Sequence, residues 1–360
     1  MTPPPDKSTA DGRERLIGAI ASAAERWKDP DYEPRAAAVE RTLDLDNTFT
    51  EQSVAFAINQ QVHQLSPATL QAWLQGRIAA VPHTIGVLNP GNVPFVELQD
   101  FLAVVLTGHR YFGALSSRSP FLLPAFASDV RLHAPDLDVR FGTSGEMFAA
   151  AEAVIATGSD EARAWAEDEC DRHGIPPERR LLRGNRFAVA VLDGSETSDD
   201  LERLAEDALL HDGYGCRNVA VVWAPRGLAP DPLLDAFAAF RAVFPAYEGL
   251  EGALKMQQAF LDALHVPNAH GEGMEFLVSK GEPEPQRPGH VRWTEYDDMN
   301  EVVAWLSSHR ADVQVVISHH SLTAALGAEL PHAPFGEAQR PQVNWRPDGV
   351  DTIDFLVHLR

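Results

Sequence analysis

A short apolar run, a glycine- and proline-rich turn and a long apolar run follow one another in this chain, and this order constrains its fold most. Residues 84–88 have the composition of a buried strand, residues 89–94 read Asn-Pro-Gly-Asn-Val-Pro, and residues 95–107 are apolar over the length of a helix. A strand, a tight turn and a helix are typical of a βα unit. The sequence therefore predicts an α/β domain, with turns at the carboxyl ends of strands, where such sheets bind ligands.

Two later segments repeat this pattern. Residues 111–115 are predicted to form a strand, and residues 116–120, which read Ser-Ser-Arg-Ser-Pro, open a helix. A strand at 151–158 ends in a Thr-Gly-Ser turn and precedes a helix over 160–173. Helix N-termini favour phosphate, and Arg118 offers a charge-assisted hydrogen bond to one. An ordinary capped helix with a surface arginine is the alternative explanation of these residues.

Cys216 lies in a glycine-containing junction between a helix predicted over 199–210 and a strand predicted over 219–225. At such a junction a thiol can be accessible to substrate while its backbone is fixed, and both properties suit a nucleophile. The alternative is a small buried hydrophobic residue. Cys170, on the polar helix over 160–173, is predicted to serve only packing. Two cysteines do not make a disulfide framework, so we expect reduced thiols.

At 360 residues the chain is long enough for two domains. The remaining predicted elements are helices at 16–27, 51–64, 67–80, 231–244 and 251–264 and strands at 187–192, 274–278 and 312–317. Three histidines, His319, His320 and His332, lack further ligands at zinc-site spacing, so no metal site is predicted. His211 precedes Cys216 by five residues, but an exposed structural histidine is the expectation there.

The charge balance limits the partners of this chain. Its formal net charge is −22, which argues against nucleic acid because such a partner requires a basic face. No apolar run approaches the roughly 18 residues that would span a membrane. The first 12 residues are polar and proline-rich, which predicts a disordered tail rather than a signal peptide. We therefore expect a soluble, cytoplasmic protein without a membrane span.

Five short blocks, taken in their order, carry a resemblance to a known family. The blocks are residues 89–94, residues 115–120, residues 154–159, residues 215–219, and residues 334–339 together with 348–352. In this order they resemble the acyl-CoA reductase family, the fatty-acid reductase component associated with bacterial bioluminescence. That family belongs to the aldehyde dehydrogenase superfamily. The resemblance covers nearly the whole chain.

The resemblance implies a role for each block. Cys216 matches the catalytic thiol, and Asn92 matches the asparagine whose side-chain amide forms the oxyanion hole with the backbone N–H of the thiol residue. The cofactor-binding positions that it implies are Pro90 and Gly91 beside the nicotinamide, Ser116, Ser117 and Arg118 at the adenosine ribose or its phosphate, Thr157, Gly158 and Ser159 near the diphosphate, and Phe335 near the nicotinamide ribose.

The fold implied is α/β and aldehyde-dehydrogenase-like. A helical N-terminal region and a nucleotide-binding domain with a mainly parallel twisted sheet are expected over 1–185, with a C-terminal return at 336–360. A catalytic α/β domain that carries the thiol is expected over 186–335. The implied reaction is NADPH-dependent reduction of a long-chain fatty acyl-CoA to fatty aldehyde through a cysteine thioester, in a homo-oligomer. NADPH is preferred because of Arg118, and NADH is the alternative.

Three departures from the superfamily pattern leave other functions open. Ala114 and Ala333 stand where a ribose-binding lysine and glutamate are usual, and residues 182–186 contain no counterpart of the water-activating glutamate. The missing glutamate favours acyl-CoA reduction over aldehyde oxidation, because a reductase must exclude hydrolysis. The two alanines motivate the alternatives, which are a cysteine-dependent acyl transferase or thioesterase without hydride transfer, and a non-catalytic protein that binds acyl groups or a partner reductase component.

Overall fold

A computed structural model describes residues 10–327 and 329–359, so the predicted N-terminal tail lies almost wholly outside the described residues. The chain divides into two compact units. The first unit comprises the chain to residue 47, residues 54–184 and the chain from residue 342, and the second unit comprises residues 48–53 and 185–341.

The helices and strands follow one another along the described chain in this order. The helices are α1 (Ala10–Trp27), α2 (Glu33–Leu43), α3 (Glu51–Val62), α4 (Pro67–Leu74), α5 (Leu98–Leu106), α6 (Leu122–Arg131), α7 (Ser144–Ala150), α8 (Asp160–Arg172), α9 (Ser198–Leu209), α10 (Asp231–Val243), α11 (Leu250–Ala263), α12 (Met299–Ser308), α13 (Thr323–Leu326) and α14 (Thr352–Val357). The strands are β1 (Thr84–Leu88), β2 (Arg110–Ala114), β3 (Val139–Gly142), β4 (Ala153–Thr157), β5 (Arg180–Arg183), β6 (Phe187–Val191), β7 (Val219–Pro225), β8 (Asn268–His270), β9 (Leu277–Lys280), β10 (His290–Tyr296), β11 (Val313–Ile317) and β12 (His332–Ala333).

The first unit contains a five-stranded parallel sheet in the order β3-β2-β1-β4-β5. Helices α5, α6, α7 and α8 connect successive strands, as parallel pairing requires. The strand order reverses between β1 and β4, and open α/β sheets bind ligands beside the carboxyl ends of strands at such a point. The turns that follow β1 and β4 are the predicted 89–94 and Thr-Gly-Ser turns.

The second unit contains a seven-stranded sheet in the order β12-β11-β6-β7-β10-β9-β8. Every pair is parallel except β8 with β9 at one edge. Buried apolar clusters cover both faces of this sheet, one built with α9 and α10 and the other with α12. The mainly parallel α/β architecture predicted from the sequence is confirmed.

Several predicted boundaries differ from the structure for local reasons. The helix expected over 95–107 begins only at Leu98, because Phe95 has a φ of 57°. The helix expected over 67–80 ends at Leu74, because Gln75 and Gly76 have positive φ values of 50° and 72°. The strand expected at 274–278 forms three residues later, as β9. Strands β3, β5 and β10 and helices α2 and α12 were not predicted.

The C-terminal return also differs from the expectation. We expected the chain to rejoin the first unit at residue 336, but it does so at residue 342. Asp207 on α9 accepts the backbone N–H groups of Gly336 at 2.7 Å and Ala338 at 2.9 Å, and these two bonds hold the intervening segment to the second unit. Among the described helices, none is both long enough and apolar enough to cross a lipid bilayer.

Candidate functional site

Two of the predicted cofactor turns lie against each other in the first unit. A Cβ atom added to Gly91 would overlap the Ser116 hydroxyl, would lie 2.5 Å from the Ser116 Cβ, and would lie 3.3 Å from the Cβ of Arg118. Only glycine therefore fits at position 91. This close approach joins the turn after β1 to the turn after β2.

Asn89 fixes the start of the turn that holds Pro90, Gly91 and Asn92. Its backbone N–H donates to the carbonyl of Ala114 at 3.0 Å, and its buried side-chain amide donates to the hydroxyl of Tyr111 at 3.0 Å. Burial raises the pKa of Tyr111 well above its usual value, so this hydroxyl stays protonated. Asn92 itself is half-buried.

Phe95 anchors the other end of the same turn. Its ring is fully buried, stacks on Trp27 at a centroid distance of 5.5 Å and meets the edge of Phe126 at 5.6 Å. Its carbonyl accepts the Gln61 side-chain amide at 2.6 Å. A bulky residue with positive φ is strained, and this aromatic packing holds Phe95 in that conformation.

The Ser116–Arg118 turn leaves two polar side chains exposed. Ser117 and Arg118 are exposed, while the Ser116 hydroxyl accepts the Arg118 N–H at 3.3 Å. The side-chain amide of Asn47 donates to the Arg118 carbonyl at 3.3 Å, which ties the turn to the segment after α2. The backbone of this turn is thus fixed, and the Arg118 guanidinium is accessible to an anion.

A buried ion pair underlies the carboxyl ends of β4 and β5. Arg183 donates to Asp100 at 2.7 Å, to the Thr157 hydroxyl at 3.2 Å and to the Thr352 hydroxyl at 2.8 Å. Both charged side chains are almost fully buried. The Thr157 hydroxyl, predicted to lie near a cofactor diphosphate, is therefore engaged with Arg183. Sequence reasoning missed this network, because its members are far apart along the chain.

The Gly158–Ser159 turn packs tightly onto the start of α8. A Cβ at Gly158 would lie 2.8 Å from that of Ala162. The Ser159 hydroxyl accepts the Ala162 N–H at 3.2 Å and so caps the helix. Asp160 and Glu161 occupy the first turn of α8. Their negative charges oppose a phosphate at this helix N-terminus, whereas Arg118 favours one at the turn after β2.

In the second unit, the chain between α9 and β7 takes an unusual path to Cys216. Three consecutive residues, His211, Asp212 and Gly213, have φ values of 54°, 54° and 80°. His211 is buried rather than exposed as expected, because this left-handed turn directs it inward. Burial lowers its pKa to about 4, so the imidazole is neutral at neutral pH. Cys216 is half-buried, and its side chain is a thiol rather than part of a disulfide.

Buried contacts stabilise this left-handed turn. Asp212 forms an ion pair with Arg241 at 2.8 Å, with both side chains almost fully buried, and it also accepts the Tyr247 N–H at 3.3 Å. A Cβ on Gly213 would lie 2.9 Å from the backbone nitrogen of Gly289. Such contacts offset the cost of the positive φ values, which would otherwise be of order 1–3 kcal/mol each for non-glycine residues.

Arg217, the residue after Cys216, brings a half-buried cation into the same turn. Its Nε donates to the carbonyl of Ala338. Burial lowers the pKa of Arg217, and the neighbouring Cys216 and Asp207 oppose that shift. Cys170 is the contrasting case, because it is fully buried in an apolar cluster and burial raises its pKa to about 11. Cys216 is thus the more accessible of the two cysteines.

Phe335 is buried in the apolar core of the second unit. Its ring meets the edge of His319 at a centroid distance of 5.2 Å. His319 in turn lies 3.3 Å from Asp200, and it shares a cluster of possible ligand atoms with Asp193 and Glu196. The Glu196 carboxylate already accepts two backbone N–H groups, from residues 193 and 194. These contacts account for the cluster as part of the fold.

Comparison with known proteins gives matches among solved structures only. No family model and no curated protein sequence matches the chain. An oxidoreductase from Marinobacter aquaeolei superposes with a TM-score of 0.72 at 12% identity, over 98% of this chain and 82% of that one. Aldehyde dehydrogenase 21 from Physcomitrella patens, in complex with the reaction product succinate, gives 0.70 at 13% identity, over 96% and 84%.

A third solved structure carries bound ligands. Aldehyde dehydrogenase C from Pseudomonas syringae, a mutant in complex with NAD+ and octanal, superposes with a TM-score of 0.67 at 14% identity. The match covers 91% of this chain and 77% of that one. The superpositions establish the fold, but at identities this low they do not establish which reaction the protein catalyses. The chain has the aldehyde dehydrogenase fold.

Proposed function

We propose that this protein reduces long-chain fatty acyl-CoA to fatty aldehyde with NADPH, through a thioester on Cys216. The observation that carries the proposal is the half-buried Cys216 thiol in a closed turn, with the cationic Arg217 as the next residue of the chain. A thiolate is the nucleophile that attacks a thioester carbonyl, and a neighbouring cation increases the fraction of thiolate.

The proposed reaction runs in two steps. The Cys216 sulfur bonds to the acyl carbon, and the carbon–sulfur bond to coenzyme A breaks, so that coenzyme A leaves as a thiol with the proton that Cys216 lost. A bound nicotinamide cofactor supplies the hydride for the second step. The hydride adds to the thioester carbon and gives a thiohemiacetal alkoxide on Cys216. When the carbon–sulfur bond breaks, the aldehyde leaves and the Cys216 sulfur takes up one proton. The side-chain amide of Asn92 and the Cys216 backbone N–H are the donors that we assign to the oxyanion; each such donor is typically worth about 10²–10³ in rate.

The carboxyl edge of the first unit's sheet supports a dinucleotide site. The order of strands reverses between β1 and β4 there. Pro90 and Gly91 follow β1, and Gly91 lets the turn after β1 approach Ser116 in the turn after β2. We assign the exposed Ser117 and Arg118 to the adenosine ribose and its 2′-phosphate, which is the reason for NADPH over NADH.

The charge distribution near residues 182–186 also favours reduction over oxidation. Aldehyde oxidation requires a base that activates water to cleave the acyl-enzyme. Arg183 is the charged residue at the end of β5, and its guanidinium is committed to Asp100. Residues 182–186 thus contain a buried cation and no carboxylate that could activate water.

A cysteine-dependent acyl transferase without hydride transfer is the second candidate. Two observations favour it. Ala114 is buried in the apolar core, so it offers no cation to a ribose, and the start of α8 is acidic. In this function Cys216 would pass its acyl group to an acceptor thiol or to water.

The decisive assay measures NADPH absorbance with long-chain acyl-CoA, together with acylation of Cys216 by mass spectrometry. Reduction predicts NADPH loss and aldehyde in equal amounts, and loss of both in Cys216→Ala. Acylation of Cys216 without NADPH loss would select the transferase. Activity that survives in Cys216→Ala would contradict both functions. Cys170→Ala is the matched control and should keep full activity, because that thiol is buried.

A further inference from the structure

Asn218 lies two residues after Cys216, and its side chain is only 2% exposed. The carboxamide oxygen accepts the backbone N–H of Gly215 at 2.8 Å. The carboxamide nitrogen donates to the carbonyls of Asp207 at 3.1 Å, Ala208 at 3.2 Å and Leu210 at 2.7 Å. One side chain therefore connects the residue before Cys216 to the carboxyl end of α9.

The backbone of Asn218 closes the same turn from the other side. Its N–H donates to the Gly215 carbonyl at 2.9 Å, so Cys216 and Arg217 occupy the two central positions of a closed turn. The last carbonyls of a helix have no intrahelical partner, and the Asn218 amide supplies one for the end of α9. Asparagine suits this position because it combines an acceptor and two donors, whereas a carboxylate offers only acceptors and alanine offers neither.

The end of α9 is bonded to Ala338, the residue that Arg217 also contacts. The Asp207 carboxylate accepts the Ala338 N–H at 2.9 Å, and Arg217 donates to the carbonyl of the same residue. The Asp207 carbonyl accepts the Asn218 amide. Two sets of contacts thus tie this region to the end of α9. Asn218 holds the Cys216 turn there, and Asp207 holds Ala338, whose carbonyl accepts Arg217.

We propose that Asn218 is the positioning residue of Cys216, which fixes the thiol relative to the Arg217 guanidinium. This inference rests on the proposed role of Cys216 as the nucleophile. Removal of the carboxamide releases Gly215 and the helix end together, so the turn relaxes and the thiolate loses part of its stabilisation. Substrate binding groups elsewhere are unaffected. The expected signature is a loss of thiol reactivity and of kcat, with an unchanged KM for NADPH.

The test is the rate of alkylation of Cys216 by iodoacetamide, followed by mass spectrometry across pH in the full chain without substrate. Asn218→Ala should react about tenfold more slowly at neutral pH, as for a thiol pKa raised by about one unit. Ser279→Ala is the matched control. It removes a buried hydroxyl from the same unit that is bonded to His290 at 2.7 Å and Arg292 at 2.8 Å rather than to residues 215–218. An equal loss in both variants, or no loss in Asn218→Ala, would overturn the proposal.

A second variant keeps the test decisive if Asn218→Ala does not fold. In Asn218→Asp, the protonated carboxyl group keeps an acceptor for Gly215 and one donor for the helix end, and the carboxylate has no donor. Its alkylation deficit relative to the native protein should therefore grow as this carboxyl group ionises, and it should shrink again at a pH where both thiols are fully ionised. A deficit independent of pH would overturn the proposal. Alkylation requires neither acyl-CoA nor NADPH, so a native protein that fails to oxidise NADPH would refute the proposed reaction without affecting this result.

Discussion

Glu97, the residue before α5, is a carboxyl group buried in the first unit. It is 2% exposed, and neither carboxyl oxygen has a hydrogen-bond partner among the described residues. Burial raises its pKa from 4.5 to about 8. The folded protein therefore binds a proton that the unfolded chain releases above its own pKa. Stability should fall as pH rises between these two values and should become independent of this group above about 8.

The magnitude follows from the two pKa values. With about 4.5 for the unfolded chain and about 8 for the folded protein, the ionisation cost grows by about 3 kcal/mol between about pH 5.5 and pH 8.5. Glu97→Gln keeps the shape and the polarity of the protonated acid but cannot ionise. The variant should match the native protein near pH 5 and exceed its free energy of unfolding by about 3 kcal/mol or more at pH 8.5.

Urea unfolding at a series of pH values measures this difference directly. The difference between variant and native protein removes the contribution of the other titrating groups. Glu167→Gln, at an exposed position on α8, serves as the control for the substitution itself. Parallel pH profiles for Glu97→Gln and the native protein would show that Glu97 ionises freely in the fold, and the reasoning from burial would fail.

Two further substitutions test the geometry of the first unit. Gly91→Ala should weaken NADPH binding at least about tenfold, because the added methyl overlaps the Ser116 hydroxyl and overpacking costs about 1–3 kcal/mol; Ser116→Gly in the same chain should restore affinity in a calorimetric titration, and an unaltered affinity for the single variant would contradict the contact. Arg183→Met should lower the free energy of unfolding by about 3–5 kcal/mol, because it leaves the Asp100 carboxylate buried without its cation. Adding Asp100→Asn should recover most of that loss in urea unfolding, and a double variant no more stable than the single one would contradict the ion pair.

The sequence predicted those parts of the fold in which the signal is local. Strands β1 and β7 are apolar and bounded by turns, and the 89–94 turn has glycine and proline at positions that break a helix. Strand β10 was missed, although it lies in the middle of the second sheet. It alternates apolar residues with Arg292 and Glu295, and it follows a proline-rich loop. Arg292 donates to the Ser279 hydroxyl and Glu295 accepts from Lys280, both on β9, and no local pattern shows these partners.

In the candidate site, too, only features with a local sequence signal were predicted. The turns that contain Cys216, Gly91 and Arg118 were predicted because glycine, proline and a rare cysteine mark turns, and the roles of these residues remain proposals. The residues that hold these turns were not found, since their partners are distant in sequence; Arg183 and Asp100 are 83 residues apart. Asn218 could have been suspected, because an asparagine in a glycine-rich turn often bonds to the local backbone. The three helix carbonyls that it bonds to could not.

An arginine, Arg217, follows Cys216 in the sequence, and this is consistent with the proposed transfer of an acyl group from coenzyme A to the thiol. A neutral imidazole takes the proton of a nucleophile and returns it to a poor leaving group such as an amine. His211 is neutral at neutral pH, but it lies buried in the left-handed turn. Exchange of one thioester for another requires no such acid on the enzyme, because coenzyme A can leave as a thiolate and take up from solvent the proton that Cys216 released. A fixed cation that stabilises the thiolate is sufficient for that step, and it gives water no base with which to cleave the acyl-enzyme.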